Sequence, residues 1–277
     1  MEVNKAVEIF EKYGIEVSVD TNNLLTISNY TQPKEKTFSE LGIDENELIE
    51  HVVACTGVFD TRKSALTTFP LTASAEIRLY DDINIAEMPN LKSVGTFVTN
   101  KNLKKLPKLK YLNCASFENS SINSLPKLKK AGILILQNSK IKELPALEVV
   151  GRLCIIDCPI EDLKELKYAG EVFICSSDEN NKINIVSLNS LEEVDRMFVA
   201  NSALKSMPKL KKAQKLALYN CEIKSVKSSL AKDVQIENHI SDEELAEKFD
   251  TFTDWYNSDI FQKSMDMLGD IVNNIQG

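Results

Sequence analysis

The sequence predicts an α/β-type solenoid in which a short unit recurs about ten times and builds a parallel sheet with mostly non-helical return arcs. Two observations support this. A Leu-Pro-like pair returns at a period of about 19 residues, and each unit keeps one internal spacing of apolar residues. A unit this short cannot bury its own apolar side, so stacked units must share a core. We expect an α+β N-terminal cap over 1–49, the solenoid over 50–240 and a helical C-terminal cap over 241–277.

The Leu-Pro-like pair marks the phase of the repeat. The interval between successive pairs is nearly constant, with one longer step between Leu163 and Leu188. The long step contains a polar stretch at 177–182, which we interpret as a loop inserted into one repeat. The pairs are Met88-Pro89, Leu106-Pro107, Leu125-Pro126, Leu144-Pro145 and Met207-Pro208, with Leu163-Lys164 and Leu188-Asn189 in the same phase.

Within each unit the apolar residues follow one pattern. One copy reads Ala131-x-x-Leu134-x-Leu136-x-x-Ser139-x-Ile141, and matching copies begin at Val150, Val194 and Ala213. The central step of two is the alternation of a strand whose one side is buried. The remaining residues of a unit leave little length for a full helix, so the return arc should be tight.

This pattern resembles the leucine-rich repeat family, whose signature is L-x-x-L-x-L-x-x-N-x-L, and in particular its short bacterial and phage repeats. The resemblance covers about 190 of the 277 residues. In the family the asparagine side chain bonds neighbouring loop backbone; here that position holds Ser120, Ser139, Cys158, Ser202 and Cys221. Serine and cysteine bond more weakly, so a regular asparagine ladder is not expected. Glycines recur just before the predicted strands and indicate a tight turn there: Gly57, Gly95, Gly132, Gly151 and Gly170.

The flanks carry their own signals. Apolar residues at helical spacing predict a helix over 2–13, followed by a hairpin of two short strands. A short helix is expected at about 45–52, with Asp44 as N-cap and Glu47 as its capping-box partner. Beyond the solenoid, Ser241-x-x-Glu244 is a second capping box. The final helix, over 259–275, is interpreted as a cap anchored by Trp255, or alternatively as a dimerisation or partner helix.

The composition limits the expected location, the class of partner and the state of the cysteines. No apolar run approaches the roughly 20 residues of a membrane span, and the N-terminus lacks an apolar signal region, so a cytoplasmic protein is expected, with delivery into a host as an alternative. The net charge is −8, yet residues 101–232 hold 23 Lys and Arg against 14 Asp and Glu. Because arginine is nearly absent there and aromatics do not interleave, nucleic-acid binding is not expected. The six cysteines are expected to be buried thiols, with a Cys154–Cys158 disulfide as the alternative.

No catalytic set is visible. The chain has neither a phosphate-binding glycine loop nor a G-x-S-x-G elbow, and His51 and His239 lie at opposite ends of the solenoid. The stretch 177–181 is the single calcium candidate, and solvated surface charge is the preferred interpretation. We expect no enzyme activity, no cofactor and no metal.

The outward side of the predicted strands is more informative. The central outward position of each repeat and the next outward position, two residues later, form two columns, and both are polar at the ends of the solenoid and apolar in the middle. Five side chains are therefore predicted to form one exposed apolar patch: Ile135, Ile156, Phe173, Phe198 and Tyr219. Arg152 and Arg196 stand in the neighbouring column and could orient a partner. Soluble monomers seldom display such a patch without a use for it.

These observations favour a non-enzymatic protein-binding solenoid whose partner is of unknown identity. Two alternatives remain open: a structural, self-associating homodimer through the same face, and a phage or bacterial effector that inhibits a host protein. The patch could also be covered by the C-terminal helix or by a second copy, or the strand phase could be misassigned. If the patch is exposed, replacing Phe173 and Phe198 by Asp should abolish binding and leave the fold intact.

Overall fold

The chain winds into a parallel β-solenoid of about nine turns. A computed structural model describes residues 1–178, 180–226, 231–241, 243–245 and 247–248. Its twelve strands form one sheet in chain order; β1 and β2 are antiparallel, and every later neighbouring pair is parallel. The strands are β1 Val17–Val19, β2 Leu25–Ile27, β3 Val52–Asp60, β4 Ala73–Arg78, β5 Ser93–Val98, β6 Tyr111–Ser116, β7 Lys130–Gln137, β8 Val149–Ile156, β9 Tyr168–Cys175, β10 Glu193–Ser202, β11 Lys212–Cys221 and β12 Ala231–Glu237.

The strand register confirms the repeat and its phase. Leu134 pairs with Leu153 and Leu153 with Val172, so equivalent positions in these successive turns differ by 19 in residue number. Val172 pairs with Met197, a difference of 25 in residue number, which places the predicted insertion between β9 and β10. These residues are fully buried and, with their equivalents in other turns, form the continuous inner core.

The return arcs are tight turns, as the repeat length predicts. In the Leu-Pro-x-Leu segment the amide of Leu128 donates to the carbonyl of Leu125 at 3.2 Å, and Leu147 donates to Leu144 in the same way. Pro126 and Pro145 occupy the second turn position, where their fixed φ suits the bend. All four leucines are 0% exposed, so each arc supplies the opposite wall of the inner core.

A column of left-handed residues lies near the C-terminal ends of the strands. Asn119, Asn138, Asp157, Asn201 and Asn220 have φ values of 48–49°, directly before the Ser or Cys position. Asparagine and aspartate tolerate this conformation better than other non-glycine residues. Sequence analysis missed this column, although an Asn or Asp stands at that position in all five repeats.

The side chains at the Ser or Cys position form weak hydrogen bonds to backbone carbonyls, as expected for thiol and hydroxyl groups. Cys158 Sγ lies 3.3 Å from the carbonyl of Leu136, one turn earlier, and Cys221 Sγ lies 3.6 Å from that of Val199. Ser202 Oγ donates to the carbonyl of Ile183 at 3.4 Å, whereas Ser120 Oγ is buried with no hydrogen-bond partner among the described residues. Each contact joins one turn to the previous one.

The recurrent glycines lie within the strands, which corrects their predicted place before them. A Cβ on Gly151 would lie 2.6 Å from the carbonyl oxygen of Gly132, and one on Gly170 would lie 2.5 Å from that of Gly151. At Gly132, Gly151 and Gly170, successive backbones therefore approach too closely for a side chain. In the later turns, Asp195 and Gln214 hold the equivalent position and are exposed.

The N-terminal residues extend the sheet and contribute to the inner core. Helix α1, Val3–Lys12, buries Ala6 and Phe10, and the β1–β2 hairpin joins β3 through parallel pairing. A short 3-10 helix, Ser39–Leu41, precedes helix α2, Glu45–Leu48. The Asp44 carboxylate accepts hydrogen bonds from the amides of residues 46 and 47, as predicted for the N-cap.

A buried carboxylate joins this N-terminal unit to the first turn. Glu45 is 2% exposed. Burial raises its pKa, but the hydrogen bonds it accepts outweigh burial and hold the pKa below the ordinary value of 4.5. Five groups donate to it: the hydroxyls of Tyr30, Ser39 and Ser64, the side-chain amide of Gln32 and the backbone amide of Ala65. Its charged form is thus matched by donors, which satisfies the condition for burying an ion.

Replacing Glu45 by Gln should destabilise the protein by about 1–3 kcal/mol at pH 7, since the donors lose their charged acceptor. The lowered pKa means that Glu45 contributes stability above its ordinary pKa of 4.5 and that this contribution is lost as the pH falls through the folded value. Urea unfolding at several pH values should show the gap between wild type and Glu45→Gln narrowing below pH 4.5. A gap that is independent of pH would contradict this role.

The glycine column predicts a second stability effect. Gly151→Ala should cost about 1–3 kcal/mol because the new methyl group meets a backbone oxygen rather than a movable side chain. Gln214→Ala is the matched control, because this exposed residue already has a Cβ at the equivalent register position. Urea midpoints of the two variants measure the difference; equal midpoints would show that the close approach imposes no constraint.

Candidate functional site: the outward face of the sheet

The outward columns of the sheet follow the predicted register. Ile135 pairs with Cys154, Cys154 with Phe173, and Phe173 with Phe198. The next column joins Ile156 to Tyr219 through Cys175 and Ala200. The strand phase is therefore confirmed, and the predicted apolar side chains share one face. The residues of this face that pack together are called the outward cluster: Cys154, Ile156, Phe173, Cys175, Phe198, Ala200, Ala217 and Tyr219.

The predicted exposure of this face is wrong for its aromatic part. Phe173, Phe198 and Tyr219 are 7%, 1% and 2% exposed. Ile135 and Ile156 are half-buried. The Phe173 and Phe198 rings stack at 4.9 Å, and the Phe198 and Tyr219 rings lie 5.4 Å apart, so each aromatic packs on the next turn's aromatic. The outward cluster is a second hydrophobic core, and its more open edge lies toward β7.

The chain beyond β12 supplies part of the cover. Ile240 and Leu245 are buried in the outward cluster, although both lie after the last strand. The side chain of Asn220 donates to the carbonyl of Ile240 at 3.0 Å and accepts from its amide at 3.1 Å, which fixes the chain as it turns back. This contact supports the alternative in which the protein covers part of its own face.

Two further contacts hold this returning segment. The Ser241 hydroxyl accepts from the Glu244 amide at 3.2 Å and the Glu244 carboxylate accepts from the Ser241 amide at 3.0 Å, so the predicted capping box is formed. The Lys248 ammonium donates to both oxygens of Glu237 at 2.7 and 2.8 Å and lies 4.8 Å from the Tyr219 ring centroid. The described chain ends there, on the outward cluster.

Charged residues in the column beside the cluster form ion pairs with one another, which was not predicted. Arg152 is 7% exposed and its Nε donates to Glu171 at 2.7 Å, one turn along. Burial raises the pKa of Glu171, and Arg152 only partly offsets that. Arg196 is half-buried next to them, and Lys215 lies 3.6 Å from Asp233. Arg152 is thus a buried ion-pair member rather than an open charge that could orient a partner.

The six cysteines are free thiols. Cys154 belongs to the outward cluster, whereas Cys158 belongs to the inner core and bonds backbone carbonyls there. Burial, with a smaller contribution from the Cys158 thiol, raises the pKa of Cys154 to about 12. Burial also raises the pKa of Cys221 to about 12. Thiols with such pKa values are poor nucleophiles at neutral pH.

A cavity beside the inserted loop is lined mainly by polar residues. It has a volume of about 530 Å³, and its lining residues include Asp157, Ser176, Asn181 and Lys182. The Asp157 carboxylate there accepts from the amide and the hydroxyl of Ser177, at 2.8 and 2.9 Å. Across the described residues, no group of three His, Cys, Asp or Glu side chains could hold a metal ion. The calcium candidate at 177–181 includes Glu179, which lies outside the described residues.

Other predicted features are placed as follows. His51 Nε2 lies 3.2 Å from the carbonyl oxygen of Met1, in the N-terminal unit, and His239 lies beyond β12 with φ of 67°. The predicted final helix at 259–275 and Trp255 lie outside the described residues. In the part of the chain that the structure describes, no helix has the length and apolar character needed to cross a membrane.

Sequence reasoning missed Ile240, Leu245 and Lys248 as parts of this face. The signal available was weak: two apolar residues flank the Ser241 capping box, without the repeat spacing that identified the strands.

Comparison of the chain with family models, curated proteins and solved structures gives no match.

The burial of the outward cluster predicts how its residues respond to truncation. Phe198→Ala should cost about 3–5 kcal/mol, the usual loss for a core phenylalanine. Val98→Ala, at an outward position of the same column where the side chain is 49% exposed, should change stability by less than about 0.5 kcal/mol. Urea unfolding measures both. If Phe198→Ala were as mild as Val98→Ala, the outward cluster would not be a core. The same burial means that Asp at Phe173 or Phe198 should unfold the protein rather than only abolish binding.

Proposed function

We propose that this protein is a non-enzymatic binding solenoid that engages another protein through the outward face of its sheet. The observation that carries the proposal is a run of apolar outward residues over five successive turns, in a column whose two ends are polar: Ile135, Cys154, Phe173, Phe198 and Ala217. A solenoid needs only its inward ladder to stack. An apolar outward side is therefore an addition to the fold, and where it stays partly exposed, as at Ile135, it supports association.

The open edge of the face is the part best suited to a partner. Ile135 is half-buried and lies outside the outward cluster, and Val98 and Ser116 continue its column as exposed residues. Glu118 and Gln137 border this edge with polar groups. An apolar centre with a polar rim is the usual anatomy of a protein interface. Extended sheet surfaces are also what solenoids commonly use for binding.

The residue chemistry supports binding over catalysis. Of the two described thiols with strongly raised pKa values, Cys221 is buried and Cys154 is half-buried, and the buried carboxylate of Glu45 is saturated by its own donors. The resemblance to leucine-rich repeat proteins of bacteria and phages fits the same proposal, including its effector variant, in which the partner is a host enzyme. A homodimer through the open edge is the alternative of a different class.

The proposal is tested with full-length tagged protein and a lysate of the source cells. Ile135→Asp should lower recovery of the partner about tenfold or more, since a charge at the centre of an apolar contact removes a hot-spot interaction. Val186→Asp is the matched control, because this valine is 45% exposed and lies on a return arc. Quantitative mass spectrometry compares the three captured samples.

Two outcomes would contradict the proposal. If every captured protein is recovered equally with Ile135→Asp and Val186→Asp, the open edge is not the binding site. If sedimentation velocity shows a wild-type dimer that Ile135→Asp dissociates, the face joins two copies of this chain instead. Circular dichroism of each variant verifies that the fold is intact.

A further inference from the structure

The path of the chain after β12 leads onto the outward face. Ile240 and Leu245 are inserted in the outward cluster, and Lys248 lies over the Tyr219 ring while it is paired with Glu237. The described chain thus ends at one side of the cluster, with the segment 249–277 still to follow. Any continuation begins on an apolar surface that already holds the segment before it.

The remaining length is sufficient to cross the cluster. Tyr219 and Ile156 are three strands apart in one column, a distance of about 14 Å at the usual strand spacing of about 4.8 Å. An extended chain covers that distance in about five residues and a helix in about ten. The segment 249–277 is longer than either and can therefore reach Cys154 and Ile156 in both conformations.

The chemistry of 249–277 matches the surface. The segment contains five Asp and a single Lys, and no Arg or Glu, so it is acidic. The solenoid over 101–232 is basic, with 23 Lys and Arg against 14 Asp and Glu. The segment is also rich in large apolar residues: Phe249, Phe252, Trp255, Tyr256, Ile260, Phe261, Met265, Met267, Leu268, Ile271, Val272 and Ile275.

We propose that residues 249–277 are an intramolecular ligand of the outward cluster, which they cross from Tyr219 toward Cys154 and Ile156. Covalent attachment a few residues from the site gives this segment an effective concentration in the millimolar range, which a second copy or a soluble partner must exceed. The occupancy itself is independent of the proposed function. Its consequence, that a partner spreading from the open edge over the cluster must displace the segment, rests on the proposed function.

Photo-crosslinking in the purified full-length protein tests the occupancy. A benzoylphenylalanine replaces Ile156, which is half-buried at the far side of the cluster. The result expected is a crosslink, in monomeric protein, to a peptide within 249–277. Mixing light and heavy isotope-labelled protein separates intramolecular from intermolecular crosslinks. Crosslinks only between light and heavy chains, or none to 249–277, would overturn the proposal.

Control positions keep the result specific. The same probe at Val186, which is exposed on a return arc, should give no crosslink to 249–277. Phe261→Asp should reduce the Ile156 crosslink about tenfold through loss of apolar burial, whereas Gln262→Asp adds the same charge and should leave it within about twofold. Equal effects of the two substitutions would overturn the apolar basis of the contact. If the Ile156 probe unfolds the protein, the probe at Cys154, which is half-buried in the same cluster, is read by the same criteria.

The two proposals fail separately. An intramolecular crosslink together with no partner lost from the Ile135→Asp sample leaves the intramolecular ligand standing and removes the proposed function. A partner that depends on Ile135, together with no crosslink to 249–277, leaves the binding function and removes the intramolecular ligand.

Discussion

A coil that advances by one strand spacing per turn places equivalent residues of neighbouring turns about 4.8 Å apart, and the rest of this structure depends on that constraint. At that separation an inward apolar residue meets its own equivalent above and below. Leu134, Leu153 and Val172 show this arrangement, and each is fully buried. No single turn could bury such a ladder, so stability arises from stacking rather than from any one repeat.

The same constraint selects residue types within the strands and near their ends. Where successive backbones come closest, Gly132, Gly151 and Gly170 stack in one column because a Cβ would collide with a carbonyl oxygen. Where the strand must leave the sheet, the chain takes a left-handed conformation and an asparagine or aspartate supplies it. The following Ser or Cys then bonds a carbonyl of the previous turn through weak contacts. The glycine, the asparagine or aspartate, and the serine or cysteine position thus each have a separate physical reason for their residue type.

The outward side of the sheet is also apolar in its middle turns, which the stacking of the solenoid does not require. Phe173, Phe198 and Tyr219 repeat the stacking of the inner core on the face that a simple solenoid leaves to water. Their burial creates a second core, closed in part by Ile240 and Leu245. A sheet with apolar contacts on both sides resists local opening in its middle turns. Toward β7 the cover thins, and the half-buried Ile135 marks the boundary between core and surface. The proposed association with another protein is placed at this boundary.

By itself the sequence determined the solenoid, the phase of its repeat, the position of the insertion and the membership of both outward columns. These follow from spacing along the chain, since the strand period and the repeat length define which residues share a face. Only the tertiary structure decided that the aromatic middle of the face is buried, that Arg152 is paired with Glu171, and that the recurrent glycines lie inside the strands. Those facts depend on how closely two backbones approach and on where the chain travels after β12. Neither is encoded in local periodicity: Ile240 and Leu245 reach Phe198 through a reversal of the chain that no repeat spacing records.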